Sequence, residues 1–97
     1  MSDDRSSIEM KIENKIVVYI LECSDHSLYV GCTNNLEKRL MEHNDSKRGA
    51  HYTKIRRPVM LKYSESFLTL GEARKREAEI KRWTREKKLH LIRSLLE

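Results

Sequence analysis

The chain has 97 residues, which is the size of one small domain and too little for a core that encloses a large internal cavity. Its 20 lysines and arginines against 15 aspartates and glutamates leave a net charge of +5, which favours a polyanionic partner such as nucleic acid unless the charge serves only solubility. No segment approaches the ~20 consecutive apolar residues of a membrane-spanning helix, so we expect no membrane partner.

The chain begins with a polar, acidic segment at residues 1–13, which predicts a flexible tail. This segment lacks the apolar stretch of a signal peptide, so we expect an intracellular protein, in the cytoplasm or with the nucleic acid. Residues 14–97 contain the periodic apolar positions and are predicted to form a single domain.

A β-hairpin is predicted between about residues 15 and 32. Segments 17–23 and 27–32 are rich in β-branched and aromatic residues, and the turn-forming residues 24–26 separate them. We predict a three-residue loop with His26 in the left-handed region, because histidine is among the few non-glycine residues enriched at positive φ.

The loop length decides which side chains share a face. With three loop residues Tyr19 and Tyr29 point the same way, whereas a two-residue turn would place them on opposite faces. In the predicted register Cys23 and Cys32 fall on opposite faces, so we expect no disulfide. Two cysteines at this spacing also do not make a zinc site.

A helix is predicted next. Asn34 is a suitable N-cap, and Glu37 stands at capping-box spacing behind it. Two leucines one turn apart form an apolar stripe, and Arg39 and His43 share a second stripe beside it.

Residues 44–57 show little periodicity and predict a basic loop. Its mixture of cationic and aromatic side chains suits contact with a phosphate backbone and stacking on bases. A merely solvated loop is the alternative. The predicted nucleic-acid contacts are Lys47, Arg48, His51, Tyr52, Lys54, Arg56 and Arg57.

A third strand is predicted at residues 59–65, directly after Pro58, and two helices follow it. Thr69, with a glutamate three residues later, caps the first of these helices, and Thr84 caps the last one. The predicted order is β-β-α-β-α-α, a small α+β domain. The buried face of the last helix is predicted to contain Leu89, Ile92, Leu95 and Leu96.

Glu77 lies on the same helical stripe as Ala73 and Ile80, which should face the sheet. A carboxylate beside a buried stripe is costly unless it is paired or binds a metal. One interpretation is an ion pair with an arginine. The other is a divalent-metal ligand, since Mg²⁺ is typically held by one or two carboxylates with waters and substrate phosphate.

Other candidate residues carry little information when each is taken alone. Arg39 suits a phosphate clamp but is also an ordinary surface arginine. His43 suits proton transfer or a structural role, and Tyr19 and Tyr29 are common strand residues. Gly31 at the end of the second strand predicts a bulge or a close approach of the backbone to a ligand.

Taken together, these residues resemble the GIY-YIG nuclease family. The resemblance rests on Tyr19 in the first strand, the segment Tyr29-Val30-Gly31 in the second, and Arg39, His43 and Glu77 at compatible spacing. It covers residues 15–93 and is closest to the small stand-alone, endonuclease-like members. It implies a three-stranded antiparallel sheet flanked by helices.

The resemblance also implies an activity, namely divalent-metal-dependent hydrolysis of DNA phosphodiester bonds by an endonuclease or nickase in repair, recombination or processing. In this interpretation Tyr29 acts as the base or orients the attacking water, and Tyr19 supports it. Arg39 stabilises phosphoryl charge, His43 assists proton transfer, and Glu77 holds one Mg²⁺ or Mn²⁺ ion.

The sequence departs from the family pattern in two ways. The first motif has Val17-Val18 before its tyrosine, and no asparagine follows Asn44, although larger members carry one beyond the metal glutamate. Without an appended DNA-binding domain, site choice would come from DNA structure or from a protein partner, and RNA is an alternative substrate. The alternative functions are a catalytically weak nucleic-acid-binding module of the same fold and an adaptor that uses the leucines at the C-terminus.

Overall fold

The computed structural model describes residues 15–45 and 47–95, so the predicted acidic tail at 1–13 lies outside the described residues. The predicted order of strands and helices is confirmed, with one additional helical turn, α2, inside the segment predicted as a loop. The elements are β1 (Ile16–Glu22), β2 (Leu28–Thr33), α1 (Leu36–Asp45), α2 (His51–Lys54), β3 (Met60–Phe67), α3 (Leu70–Lys81) and α4 (Arg85–Ser94). Among the described residues, no helix is both long enough and apolar enough to cross a membrane.

The strands form an antiparallel sheet in the order β2-β1-β3. Tyr19 pairs with Gly31 and Leu21 pairs with Tyr29, so both tyrosines point to the same face. His26 in the connecting loop has a φ of 68°, in the left-handed region. The predicted loop and register are therefore confirmed.

Helices cover the sheet on both faces. Val18 and Ile20 of β1 pack with α3 residues on one face, together with partly buried α4 residues, whereas Tyr19 and Leu21 pack on the other face with residues that include leucines of α1. Burial on both sides explains why residues 18–21 form an unbroken apolar run instead of an alternating pattern. The two cysteines lie in different packing layers and are free, as predicted.

Two of the predicted helix caps are confirmed. The Thr69 hydroxyl accepts a hydrogen bond from the backbone N–H three residues later at 3.1 Å, at the start of α3. The Thr84 hydroxyl does the same at 3.2 Å at the start of α4. Each cap satisfies a backbone donor that the first turn of a helix leaves unpaired.

The predicted cap of α1 was wrong by one residue. Asn35, not Asn34, accepts a hydrogen bond from the Lys38 backbone N–H at 3.1 Å. The Thr33 hydroxyl accepts from the Asn35 backbone N–H at 3.1 Å, and this local turn carries the chain past Asn34 before the helix begins at Leu36.

The predicted buried face of the last helix was also partly wrong. Leu91 and Ile92 pack against the core, and Leu89 is half-buried. Leu95 is 58% exposed because it follows the last turn of α4 and has no core beneath it. Leu96 lies outside the described residues.

Candidate active site

Tyr19 lies at the centre of the face covered by α1. It is fully buried, and its ring crosses the edge strand over Gly31. A Cβ atom at position 31 would lie 2.5 Å from the Tyr19 hydroxyl oxygen and 2.6 Å from Cζ, which is closer than real Cβ contacts. Gly31 was predicted to mark a bulge or a close approach of the backbone to a ligand, and the group that lies against it is the Tyr19 ring.

Replacing Gly31 by alanine should displace the Tyr19 ring. We expect Gly31→Ala to lower the free energy of unfolding by about 1–3 kcal/mol, since a methyl group must enter a filled space. Chemical denaturation measures this loss. Gly71→Ala is the matched control, because a Cβ there meets nothing within 4 Å and should leave the stability unchanged or raise it by up to about 1 kcal/mol. Equal stabilities of Gly31→Ala and the unmodified protein would contradict this packing.

The Tyr19 hydroxyl belongs to a buried hydrogen-bonded chain. Its oxygen lies 2.9 Å from His43 Nε2, and His43 Nδ1 lies 2.7 Å from the Thr53 hydroxyl. His43 and Thr53 are both fully buried. Thr53 was not among the predicted site residues, because nothing in the sequence pattern indicates that the short helix α2 turns this side chain inward.

Burial keeps the histidine and the phenol neutral. It lowers the pKa of His43 to about 4, and the nearby Arg39 charge acts in the same direction. Burial also raises the pKa of Tyr19 to about 12; the neighbouring Tyr29 adds to this, and Arg39 opposes it. At neutral pH His43 therefore accepts or donates hydrogen bonds as an uncharged imidazole.

This neutral histidine predicts a loss of stability in mild acid. Below pH 6.5 the unfolded chain binds a proton at this side chain, whereas the folded protein does so only near pH 4. The unfolded state then binds more protons, so the unfolding free energy should fall by up to about 3 kcal/mol from pH 6.5 to pH 4. Denaturation series at several pH values measure the slope, and His43→Gln, which does not titrate, should show a shallower one. Equal slopes for the two proteins would contradict a neutral buried His43.

Tyr29 is the partly exposed member of the tyrosine pair. Its ring centroid lies 5.2 Å from that of His43 and 6.5 Å from that of Tyr19. The Tyr52 ring of α2 stacks against that of Tyr29 at a centroid distance of 6.0 Å, and Tyr52 is itself 37% exposed. Tyr29 thus contacts two buried rings and one exposed ring, and it is itself partly exposed to solvent.

Arg39 of α1 lies beside this aromatic group. Its Nη1 donates to the Glu42 carboxylate and to the Arg48 backbone carbonyl, both at 2.8 Å. The guanidinium also interacts with the Tyr19 hydroxyl and lowers its pKa against the effect of burial. With 27% of its side chain exposed, Arg39 is anchored on one side and accessible on the other.

The basic segment before β3 uses its cations in different ways. Arg56 packs 3.8 Å over the centre of the Tyr52 ring and pairs with Asp25 of the hairpin loop at 3.1 Å. Arg57 donates to the backbone carbonyls of Glu42, at 3.1 Å, and His43, in the last turn of α1. Arg57 therefore holds this segment on α1. The exposed members of the predicted contact set are Lys47, Arg48, His51, Tyr52 and Lys54.

Glu77 lies between the buried Ala73 and Ile80 of α3, as its spacing predicts, and 19% of its side chain is exposed. The carboxylate pairs with Lys81 Nζ at 3.0 Å, so its partner is a lysine and not the arginine that we considered. The carboxylate also lies near Cys32: burial and the Glu77 charge both raise the pKa of that thiol.

The structure thus brings four predicted site residues into one group, namely Tyr19, Tyr29, Arg39 and His43. Glu77 instead lies in the packing layer on the other face of the sheet. It approaches Cys32 of the edge strand β2, the residue that follows Gly31.

The donor chemistry at Glu77 suits a hard cation. Within residues 15–45 and 47–95, no three histidine, cysteine, aspartate or glutamate side chains are grouped closely enough to hold a metal by themselves. A single accessible carboxylate matches Mg²⁺ or Mn²⁺, which keep several waters and bind substrate phosphate. A thiol such as that of Cys32 is too soft a ligand for these ions.

Comparisons with known proteins show the family of this chain. The GIY-YIG catalytic domain matches residues 15–90. A UPF0213 protein of Syntrophus aciditrophicus is 56% identical over 80 residues, 82% of this chain and 92% of the relative. A UPF0213 protein of Staphylococcus saprophyticus is 54% identical over 79 residues, 81% of this chain and 95% of the relative.

Two solution NMR structures resemble the fold at 40% sequence identity. A UPF0213 protein from Bacillus halodurans aligns with a TM-score of 0.53 over 80% of this chain and 82% of the other. A protein from E. faecalis aligns with a TM-score of 0.58 over 86% of this chain and 88% of the other.

Proposed function

Since this chain belongs to the family of the GIY-YIG catalytic domain, we propose that it is a divalent-metal-dependent endonuclease that nicks DNA. The observation that carries the proposal is the grouping of a partly exposed phenol, Tyr29, with the accessible guanidinium of Arg39 over a buried Tyr19–His43 pair. Hydrolysis of a phosphodiester requires a group that orients or deprotonates water and a cation that meets the developing charge.

Tyr29 is the group that meets the attacking water. Its hydroxyl would orient the water by hydrogen bonding, and Arg39 places a permanent positive charge on the same face of the sheet. An edge contact with His43 and a stack with Tyr52 hold the Tyr29 ring, which would keep its hydroxyl near the reacting position.

Arg39 binds the scissile phosphate. Its Nη1 is held by Glu42 and by a backbone carbonyl, so the guanidinium is oriented before substrate arrives. A fixed guanidinium suits phosphate oxygens because it offers parallel N–H donors together with a permanent charge. Removing such a preorganised donor typically costs about 10²–10³ in rate.

Tyr19 and His43 act as positioning residues. Neither has surface that a substrate could touch, and both are neutral near pH 7. The proton-transfer role that the family resemblance implies for His43 would therefore pass through the Tyr19 hydroxyl. We assign this pair to holding Tyr29 and Arg39 in place.

Glu77 would hold one Mg²⁺ or Mn²⁺ ion, with Lys81 released from the carboxylate. Exposed ion pairs of this type contribute only about 0.3–0.5 kcal/mol to stability, and Lys81 is 52% exposed. Replacing Lys81 by a metal ion at this carboxylate therefore costs little free energy. When bound, the ion polarises a phosphate oxygen and neutralises charge on the leaving group.

The nucleic-acid contacts come from α2 and the turn before it. Lys47, His51 and Lys54 are exposed beside Tyr52, which offers an aromatic face to a base. These contacts follow the backbone and carry little sequence information. Choice of site, and any role in DNA repair or recombination inside the cell, would then depend on DNA structure or on a protein partner.

Conversion of supercoiled plasmid to nicked circles tests the proposal. We expect nicking with Mg²⁺ or Mn²⁺ and none after chelation by EDTA. Salt-sensitive DNA binding without nicking in either ion would favour the binding module instead, an alternative supported by the Lys81 and Cys32 contacts of Glu77. An RNA of the same sequence, assayed in parallel, distinguishes the two substrate classes.

A further inference from the structure

Thr53 lies at the inner end of a hydrogen-bonded chain that leads outward through His43 to Tyr19. Its hydroxyl contacts His43 Nδ1 at 2.7 Å and donates to the Ala50 carbonyl at 2.9 Å. His43 Nε2 contacts the Tyr19 hydroxyl, which in turn interacts with the Arg39 guanidinium. Thr53, His43 and Tyr19 are all buried, and the described residues leave no buried side-chain nitrogen or oxygen without a partner.

The direction of each hydrogen bond follows from counting protons. A backbone carbonyl can only accept, so the single Thr53 hydroxyl proton goes to the Ala50 carbonyl, and the Thr53 oxygen accepts from His43 Nδ1. A neutral imidazole that carries its proton at Nδ1 accepts at Nε2, so the Tyr19 hydroxyl donates its proton to that atom.

The opposite tautomer is incompatible with the two contacts of the Thr53 hydroxyl. If His43 carried its proton at Nε2, the Thr53 hydroxyl would have to donate to Nδ1, and the Ala50 carbonyl 2.9 Å from the Thr53 oxygen would receive no proton from it. The first arrangement satisfies both contacts of the Thr53 oxygen.

We infer that Thr53 is a positioning residue that fixes His43 in the Nδ1–H tautomer and, through Tyr19, orients Arg39. The tautomer follows from contacts within the chain alone. The consequence for the reaction rests on the proposed nuclease function. The relay of hydrogen bonds runs from Tyr19 to His43, from His43 to Thr53 and finally to the Ala50 carbonyl on the backbone, and the Arg39 charge lies beside its Tyr19 end.

The ¹⁵N chemical shifts of the His43 ring test the tautomer directly. The unmodified protein should show a protonated Nδ1 and an unprotonated Nε2 near pH 7. Thr53→Val removes the acceptor at nearly the same volume and should move the proton to Nε2, whereas Thr53→Ser should retain the original pattern. An Nε2–H tautomer in the unmodified protein, or an unchanged tautomer in Thr53→Val, would overturn the inference. The spectrum of the unmodified protein decides the tautomer even if Thr53→Val does not fold.

Nicking kinetics test the consequence. Thr53→Val should lower kcat about tenfold with KM for DNA unchanged, which is the effect of one hydrogen bond of ordinary net strength, and Thr53→Ser should restore it. A Thr53→Val protein that nicks at the full rate would overturn the link to Arg39. Absence of nicking in the unmodified protein would overturn the proposed function but not the tautomer, so the two failures can be told apart.

Discussion

Tyr29→Phe should lower the rate of plasmid nicking by about 10²–10⁴, the usual contribution of a positioned acid or base. The variant removes one hydroxyl and keeps the ring that packs against His43 and Tyr52, so DNA affinity and folding should change little. Single-turnover nicking under saturating protein measures the chemical step, and a gel shift measures binding.

Tyr63→Phe is the matched control for this substitution. Tyr63 lies in the opposite packing layer, where its hydroxyl donates to Glu65 at 2.5 Å and Arg76 pairs with the same carboxylate at 3.0 Å. Losing that hydroxyl should lower stability but leave nicking unchanged. A Tyr29→Phe protein that nicks as fast as Tyr63→Phe would show that the phenol takes no part in the reaction.

Glu77→Gln should reduce nicking by more than about 100-fold, because the amide keeps the shape of the side chain but loses the charge that binds a divalent cation. The affinity for Mn²⁺, followed by electron paramagnetic resonance without DNA, should fall in parallel. This second measurement separates loss of the ion from loss of the reaction.

Glu79→Gln is the control for Glu77→Gln on the same helix. Glu79 is half-exposed and pairs with Arg76, away from the contacts of Glu77. Its substitution should change neither Mn²⁺ affinity nor nicking. Equal Mn²⁺ affinities of Glu77→Gln and Glu79→Gln would remove Glu77 as the ligand.

The shared face of the two tyrosines was predictable because the hairpin is a local structure. Turn residues fixed the loop length, the positive φ of His26 followed from its type, and the period of two in a strand then placed Tyr19 and Tyr29 together. Helical periodicity likewise placed Arg39 and His43 on one stripe and Glu77 between buried positions.

The contribution of the basic segment could not be predicted in the same way. A single turn of helix has no periodic pattern, so α2 and the buried Thr53 gave no signal in the sequence. Arg57 is one of several neighbouring cations, and its bonds to backbone carbonyls of α1 depend on the path of the chain after that helix. Both features depend on tertiary contacts between segments that are distant in the sequence.

The sequence also did not indicate which face of the sheet Glu77 approaches. Periodicity indicates that a helical stripe is buried, but both faces of this sheet are covered, so it does not indicate against which face. Glu77 meets Cys32 on one face, whereas Tyr29 points to the other. The proposed reaction therefore requires the two residues to act on one phosphodiester around the end of the edge strand β2.

A double-variant cycle tests this requirement most directly. Single-turnover nicking rates in Mn²⁺ are compared for the unmodified protein, Tyr29→Phe, Glu77→Gln and the double variant. If both residues serve one reaction site, the double variant should be no slower than the slower single variant, within a few-fold, because either loss already disables the site. Losses that multiply in the double variant would contradict a shared site.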